Sequence, residues 1–325
     1  MRVRTLTYSL LVFCSALLVG CKVGGSGKNG ASEAFTPHAF PALPEPPAVI
    51  SQPQEKTEYV ISNYWNEFLG KSYPCDSNVV NGVAADEVEK ALGTYVTILE
   101  NACSIDFGRK AMASFFDKLE KFQSADTSSN VFGFFEEMVP KYLYDPNSPV
   151  RNEDLYLPYV SRLATSELVD PDMRPAYDHD ARMCSLNMIG TPAADFTFTD
   201  LSGRRHTLYS IKAETTLLFF TNPGCPACKE IIESLTSSGH IASLVASGKL
   251  AVVNVYIDDE LDKWREYASV YPKNWYNGYD QSYLIRSDIT YNVRAIPSLY
   301  VLDSSKRVLM KDAPVEAVLP YLENL

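Results

Sequence analysis

Two cysteines in the tetrapeptide Cys225-Pro226-Ala227-Cys228 constrain this chain more than any other feature, because of what flanks them. Before them, 216–221 (TLLFFT) is a short apolar run with the pattern of a buried strand. After them, Cys228, Ile231, Ile232 and Leu235 recur at helical spacing. A CxxC at a strand-to-helix junction is the arrangement of a redox-active dithiol. Asn222-Pro223-Gly224 forms the intervening turn, with Asn222 held extended by the proline after it. Cys225 then falls at the helix N-cap and Pro226 in the first turn, where its missing N–H is not needed. Unpaired N–H donors and the positive dipole end of the helix favour a thiolate at Cys225. Cys228 shares the apolar stripe that must face the sheet. The pattern therefore predicts an exposed nucleophile, Cys225, and a shielded resolving thiol, Cys228.

A second signal lies downstream, where Ile296-Pro297 precedes the apolar run 298–302. A proline ahead of such a run normally demotes a strand. The order of CxxC and then Ile-Pro instead resembles the thioredoxin superfamily. That resemblance implies a cis Pro297, with the Ile296 backbone docking an extended substrate segment beside Cys225. Upstream, Gly190-Thr191-Pro192-Ala193-Ala194-Asp195-Phe196 and the stretch from Gly203 to Leu208 are similar to the N-terminal hairpin of TlpA/ResA-type envelope thioredoxins. Three positions depart from the pattern. Phe219 stands where thioredoxin has a buried acid and Gly224 where it has a tryptophan, while Glu230 is one place off the acid that often follows the second cysteine. The resemblance implies a thiol–disulfide oxidoreductase with no bound cofactor, working as a reductase. Its partners would be protein thiols and disulfides, and a redox partner supplying or accepting electrons.

Arg2 and Arg4 precede an apolar stretch, 6–19, too short to be a stable bilayer span. Leu18-Val19-Gly20-Cys21 then matches a bacterial lipobox, so residues 1–20 read as a signal peptide and Cys21 as the lipidation site. The chain would sit in the bacterial cell envelope, held to the bilayer at Cys21 and facing the periplasm, where disulfides persist. A net charge of −11 with no basic run gives no electrostatic basis for binding nucleic acid.

Residues 21–55, rich in Gly and then Pro, read as a flexible tether. Residues 56–187 read as an all-α domain, with apolar stripes at Ile61 to Leu69, Val88 to Leu99, Phe107 to Phe122, Phe132 to Val139, 155–163 and 172–186. This part resembles the helical domain of unknown function that precedes a thioredoxin module in many Bacteroidetes lipoproteins, through Tyr64-Trp65-Asn66-Glu67-Phe68 and the direct run into Gly190. Residues 188–325 read as an α/β thioredoxin-like fold, a central mixed sheet flanked by helices. Strands are expected at 196–199, 207–208, 216–221, 250–257, 298–303 and 307–310. Helices are expected after the CxxC to about Gly239, from Asp258 through Tyr267, at 288–291 and at 314–323, with 275–279 a loop or short strand.

Other chemistries compete. Cys75, Cys103 and Cys184 could include a stapling Cys75–Cys103 disulfide, could be three small buried residues, or could include a partner for Cys225. Structural zinc needs four ligands, but there is no second CxxC and His38, His179, His206 and His240 are scattered, so no metal site is expected. A thiol peroxidase would place Thr three residues before the reactive Cys, where Asn222 stands. A binding protein is the rival from another class, with the helical domain recognising a partner or ligand.

Overall fold

The computed structural model describes residues 36–325. The expected leader, Cys21 with its expected lipidation and the first part of the expected tether lie outside the described residues. Within the expected tether, however, the chain is already packed. The His38 amide donates to the Gly82 carbonyl at 2.9 Å, and the Phe40 ring lies 5.4 Å from Phe68 and 5.7 Å from Trp65. An aromatic side chain next to a large apolar core buries itself despite its proline-rich surroundings.

The helical region opens with α1 (Pro53–Asn63), and Tyr64, Trp65 and Phe68 follow in turns rather than in the helix itself. A two-stranded hairpin comes next, β1 (Val79–Val80) and β2 (Val83–Ala84). Its Asn81-Gly82 turn takes positive φ at both positions, 46° and 81°. Four long helices follow: α2 (Ala85–Ala102), α3 (Ile105–Ala125), α4 (Val131–Leu143) and α5 (Glu153–Leu163), then α6 (Arg174–Cys184). Ser104 caps α3 by accepting the Phe107 amide, and Asn152 caps α5 by accepting that of Leu155. The core is aromatic. Trp65 stacks on Phe115 at 4.8 Å and meets Phe135 edge-on at 5.1 Å. At Gly108 the backbone of α3 meets α5 so closely that a Cβ would stand 2.5 Å from Leu155 Cδ2.

The second region is a seven-stranded mixed sheet in the order β4-β3-β7-β6-β5-β8-β9. The strands are β3 (Thr197–Asp200), β4 (Arg205–Thr207), β5 (Thr215–Phe220), β6 (Leu250–Tyr256), β7 (Tyr276–Tyr279), β8 (Ser298–Asp303) and β9 (Val308–Met310). β5 runs parallel to β6 and antiparallel to β8, and β6 runs parallel to β7. Every residue of β5 and of β6 is buried, so both strands are covered on two faces. Leu217 and Phe219 pack on one face with helix α7 (Pro226–Ser237), and Leu218 and Phe220 on the other with Phe198, Tyr291 and Tyr300.

Beyond the hairpin at 79–84, which interrupts a region expected to be all-α because Asn81-Gly82 turns the chain back on itself, two elements differ from the sequence pattern. The helix after the CxxC stops at Ser237, and Ser238 caps a separate α8 (Gly239–Ala246) by accepting the Ile241 amide. The short helix expected at 288–291 lies earlier, as α10 (Leu284–Ser287), after α9 (Leu261–Tyr267). The helix starts early because the Asp280 carboxylate, four residues before Leu284, accepts the Ile285 amide at 2.8 Å. The last helix, α11 (Val315–Glu323), lies where expected.

The two regions meet across buried charge. Glu153, at the start of α5 and 2% exposed, pairs with Lys311 at 2.8 Å and Arg294 at 3.0 Å, and accepts a hydrogen bond from Asn292 at 2.7 Å. Asp312 accepts from the Ser298 hydroxyl at 2.7 Å and pairs with Arg294 at 3.3 Å and Arg151 at 3.5 Å. The Arg294 guanidinium also lies 4.0 Å from the centre of the Tyr144 ring. Burial pushes the Glu153 carboxyl up, against the pull of Lys311 and Arg294, and does the same to Asp312 against Arg151.

Candidate active site

The end of β5 delivers the chain into a turn in which Gly224 takes φ +73°, a left-handed conformation that favours glycine. Cys225 is the N-cap of α7, and its Sγ accepts the Cys228 amide at 3.2 Å. Pro226 occupies the first helical position. Cys225 is half-buried, whereas Cys228 is 2% exposed and packs with Phe219, Ile231 and Leu235. Both are free thiols. Burial, followed by the hydrogen bond with Cys225, pushes the Cys228 thiol up to about 12. The apolar stripe of α7 faces the sheet, and the two cysteines differ in exposure in the sense the spacing predicts.

The turn is held from beneath by polar groups. The Asn222 amide donates to Asp258 at 2.8 Å, and Asp258 pairs with Arg286 at 2.6 Å. In the layer below, the Thr221 hydroxyl donates to Asn254 and lies 3.3 Å from the Tyr271 hydroxyl, while Asn254 donates to Asn277 at 3.0 Å. Burial pushes the Tyr271 phenol up to about 12. Where the superfamily pattern has a buried acid, this chain therefore has Phe219 with a neutral Thr–Asn–Tyr network nearby. Thr221 and Asn254 signal that network in the sequence, as single polar residues ending or interrupting apolar strands.

The Ile296–Pro297 peptide is cis. Pro297 leads directly into β8, which pairs with β5, and Ile296 packs against the apolar clusters on both faces of the sheet. Beside this loop and α7 opens a cleft of about 440 Å³ whose lining includes Ala227, Ile231, Ile296 and Pro297. The fold thus brings Cys225, Cys228, Ile296 and Pro297 to one end of the sheet. Cys21 lies outside the described residues.

The other cysteines are elsewhere. Cys75, Cys103 and Cys184 are all free, so of the alternatives the Cys75–Cys103 staple is not present; the Cys75 thiol contacts the Ser128 carbonyl at 3.6 Å. Of the three, Cys184 alone is fully buried; Cys75 and Cys103 are half-buried. Among the described residues no three His, Cys, Asp or Glu side chains cluster as metal ligands, and no helix is long and apolar enough to cross a membrane.

Residues 213–308 match a thioredoxin-like family, and residues 23–187 match a domain of unknown function, DUF5106. A thioredoxin-like protein from Bacteroides caccae is 35% identical, with the match covering 86% of this chain and 97% of that one at a TM-score of 0.73. The chain belongs to the thioredoxin-like proteins with an N-terminal DUF5106 domain. Two Bacteroides fragilis structures match over 42% of this thioredoxin-like chain. One is the C-terminal domain of an uncharacterized protein, 48% identical over 97% of its length, with a TM-score of 0.41. The other is a conserved protein of unknown function, 32% identical over 98% of its length, with a TM-score of 0.41. No curated protein matches this thioredoxin-like chain.

Proposed function

We propose that this protein is an envelope thiol–disulfide oxidoreductase that reduces disulfides in protein substrates. The observation that carries the reading is the asymmetry of the dithiol: Cys225 half-exposed at a helix N-cap, Cys228 buried behind it with its amide on the Cys225 sulfur. The Cys225 thiolate attacks one sulfur of a substrate disulfide. A mixed disulfide forms, and the substrate's other sulfur leaves as a thiolate that takes up a proton. Cys228 then loses its proton and attacks Cys225 Sγ, expelling the second substrate thiol and closing Cys225–Cys228. Two electrons have passed to the substrate, and a protein dithiol must return them before the next turnover. No bound cofactor is needed. Burial that holds Cys228 protonated keeps it from competing for the first attack.

The lipobox at Leu18 to Cys21 supports lipidation of Cys21 and a periplasm-facing, membrane-held location. The test is turbidimetric reduction of insulin by dithiothreitol with the full chain and with Cys225→Ser. Catalysis by the first and none by the second is expected; equal rates would overturn the reading. A midpoint potential near or below about −250 mV supports reduction, and one near −120 to −180 mV would make the protein an oxidant or isomerase.

A further inference from the structure

The cleft beside the dithiol is not built by the thioredoxin-like elements alone. α7 supplies one wall and the cis-proline loop the floor, and α11 gives a rim through Val315, Glu316 and Leu319. Pro146, Asn147 and Arg151 of the helical region complete it. That last wall is a fixed turn. The Asp145 carboxylate accepts the Asn147 amide at 2.8 Å, and the Ser148 hydroxyl donates to the Tyr142 carbonyl at 2.5 Å. Arg151 Nε donates to the Asp312 carbonyl at 2.9 Å. Arg294, two residues before Ile296, is held by Glu153, Asp312 and the face of Tyr144. One buried network therefore holds both the wall and the loop that carries Pro297.

Two features of the cleft describe its occupant. Among the described residues the backbone of Ala295 and Ile296 makes no hydrogen bond within the chain, which leaves it open to pair with an extended strand. The rim is acidic. Glu230 and Glu316 are exposed and neither has a cationic partner among the described residues, whereas the Arg151 charge is already answered by Asp312.

We propose that the turn at 145–151 is part of the substrate-docking surface, and that this surface takes an extended polypeptide segment carrying the target disulfide and a nearby Lys or Arg. This rests on the disulfide-exchange reading above. An apolar side chain of the segment sits over Ile231, Pro297 and Leu319, its basic residue faces Glu230 and Glu316, and the helical region closes the far side. The helical region is then a specificity element.

The test uses the full chain, kept reduced by dithiothreitol with the uncatalysed rate subtracted, and three disulfides: two peptides of one length, flanking the disulfide with Lys or with Glu, and bis(2-hydroxyethyl) disulfide. The wild type should show a kcat/KM roughly tenfold higher for the Lys peptide than for the Glu peptide, and Glu230→Lys with Glu316→Lys should remove or reverse that preference. Asn147→Trp, at an exposed position, should lower the ratio of kcat/KM for the Lys peptide to that for the small disulfide about tenfold, mainly through KM. Reduction of all three disulfides without either discrimination would overturn the docking surface and leave the exchange reading intact. No reduction of any of them would overturn the exchange reading, and the docking surface with it.

Discussion

The two regions of this molecule are stabilised by different materials. The helical region is built on rings: Trp65, Tyr95, Phe115 and Phe135 interlock edge and face at its centre. The sheet region is built on Leu, Val and Phe in β5 and β6, with a polar layer of Thr221, Asn254 and Tyr271 under the dithiol. The border between them is neither. It is ionic, with Glu153 and Asp312 enclosed by Arg151, Arg294 and Lys311. Apolar surface is non-directional and would allow the two regions to slide, whereas buried charges must meet their partners in one geometry. The border thus fixes where the 145–151 turn stands relative to Pro297.

The sharpest way to break this contrast is to attack one region's core and the border separately. Trp65→Ala removes a ring that is 1% exposed and should cost about 3–5 kcal/mol in urea unfolding. Glu153→Ala leaves Lys311 buried without its anion and Arg294 with Asp312 alone, and should cost a similar ~3–5 kcal/mol. Both losses should shift one shared transition. A border that merely touches would give less than about 1 kcal/mol for Glu153→Ala and separate transitions for the two regions.

A smaller effect tests the helical side of the border through pH. Burial raises the Glu100 carboxyl from 4.5 to about 7, against a hydrogen bond from Asn152 at the start of α5. A raised carboxyl adds stability that is fully present below the unfolded value near 4.5 and is lost as pH rises through 7. Glu100→Gln should therefore stabilise the protein at pH 8.5 by about 2 kcal/mol and change it little at pH 4.5. An equal effect at both pH values would contradict the burial. The smallest change is Gly108→Ala, where the new Cβ meets Leu155 Cδ2 at 2.5 Å. Overpacking should outweigh the gain in helix propensity and leave a net loss of about 1 kcal/mol, read in the same unfolding experiment.

Much of the site was legible because it is local. Cys225, Cys228 and the α7 stripe lie within one strand–turn–helix, and Ile296-Pro297 lies beside the strand that pairs with it. The Asn81-Gly82 hairpin was missed, since 56–187 reads as all-α: its turn residues are a hairpin signal, but its strands are two residues long and are lost among helical stripes. The helix break at Ser238 is carried by a single capping hydroxyl. What could not be read is the border. Glu153 meets Arg294 across 141 positions, and in the sequence both look like ordinary surface charges. The cleft wall at Asn147 and Arg151 depends on that same long-range contact.

Trapping distinguishes Cys225 as the attacking thiol from Cys228 as the resolving one. Reduced Cys228→Ser protein is mixed with a disulfide-closed peptide, quenched with acid and mapped by mass spectrometry after proteolysis. A stable mixed disulfide at Cys225 is expected, absent from the wild type, where Cys228 completes the exchange. A peptide adduct at Cys75 or Cys103 with none at Cys225, or no adduct at all, would contradict it.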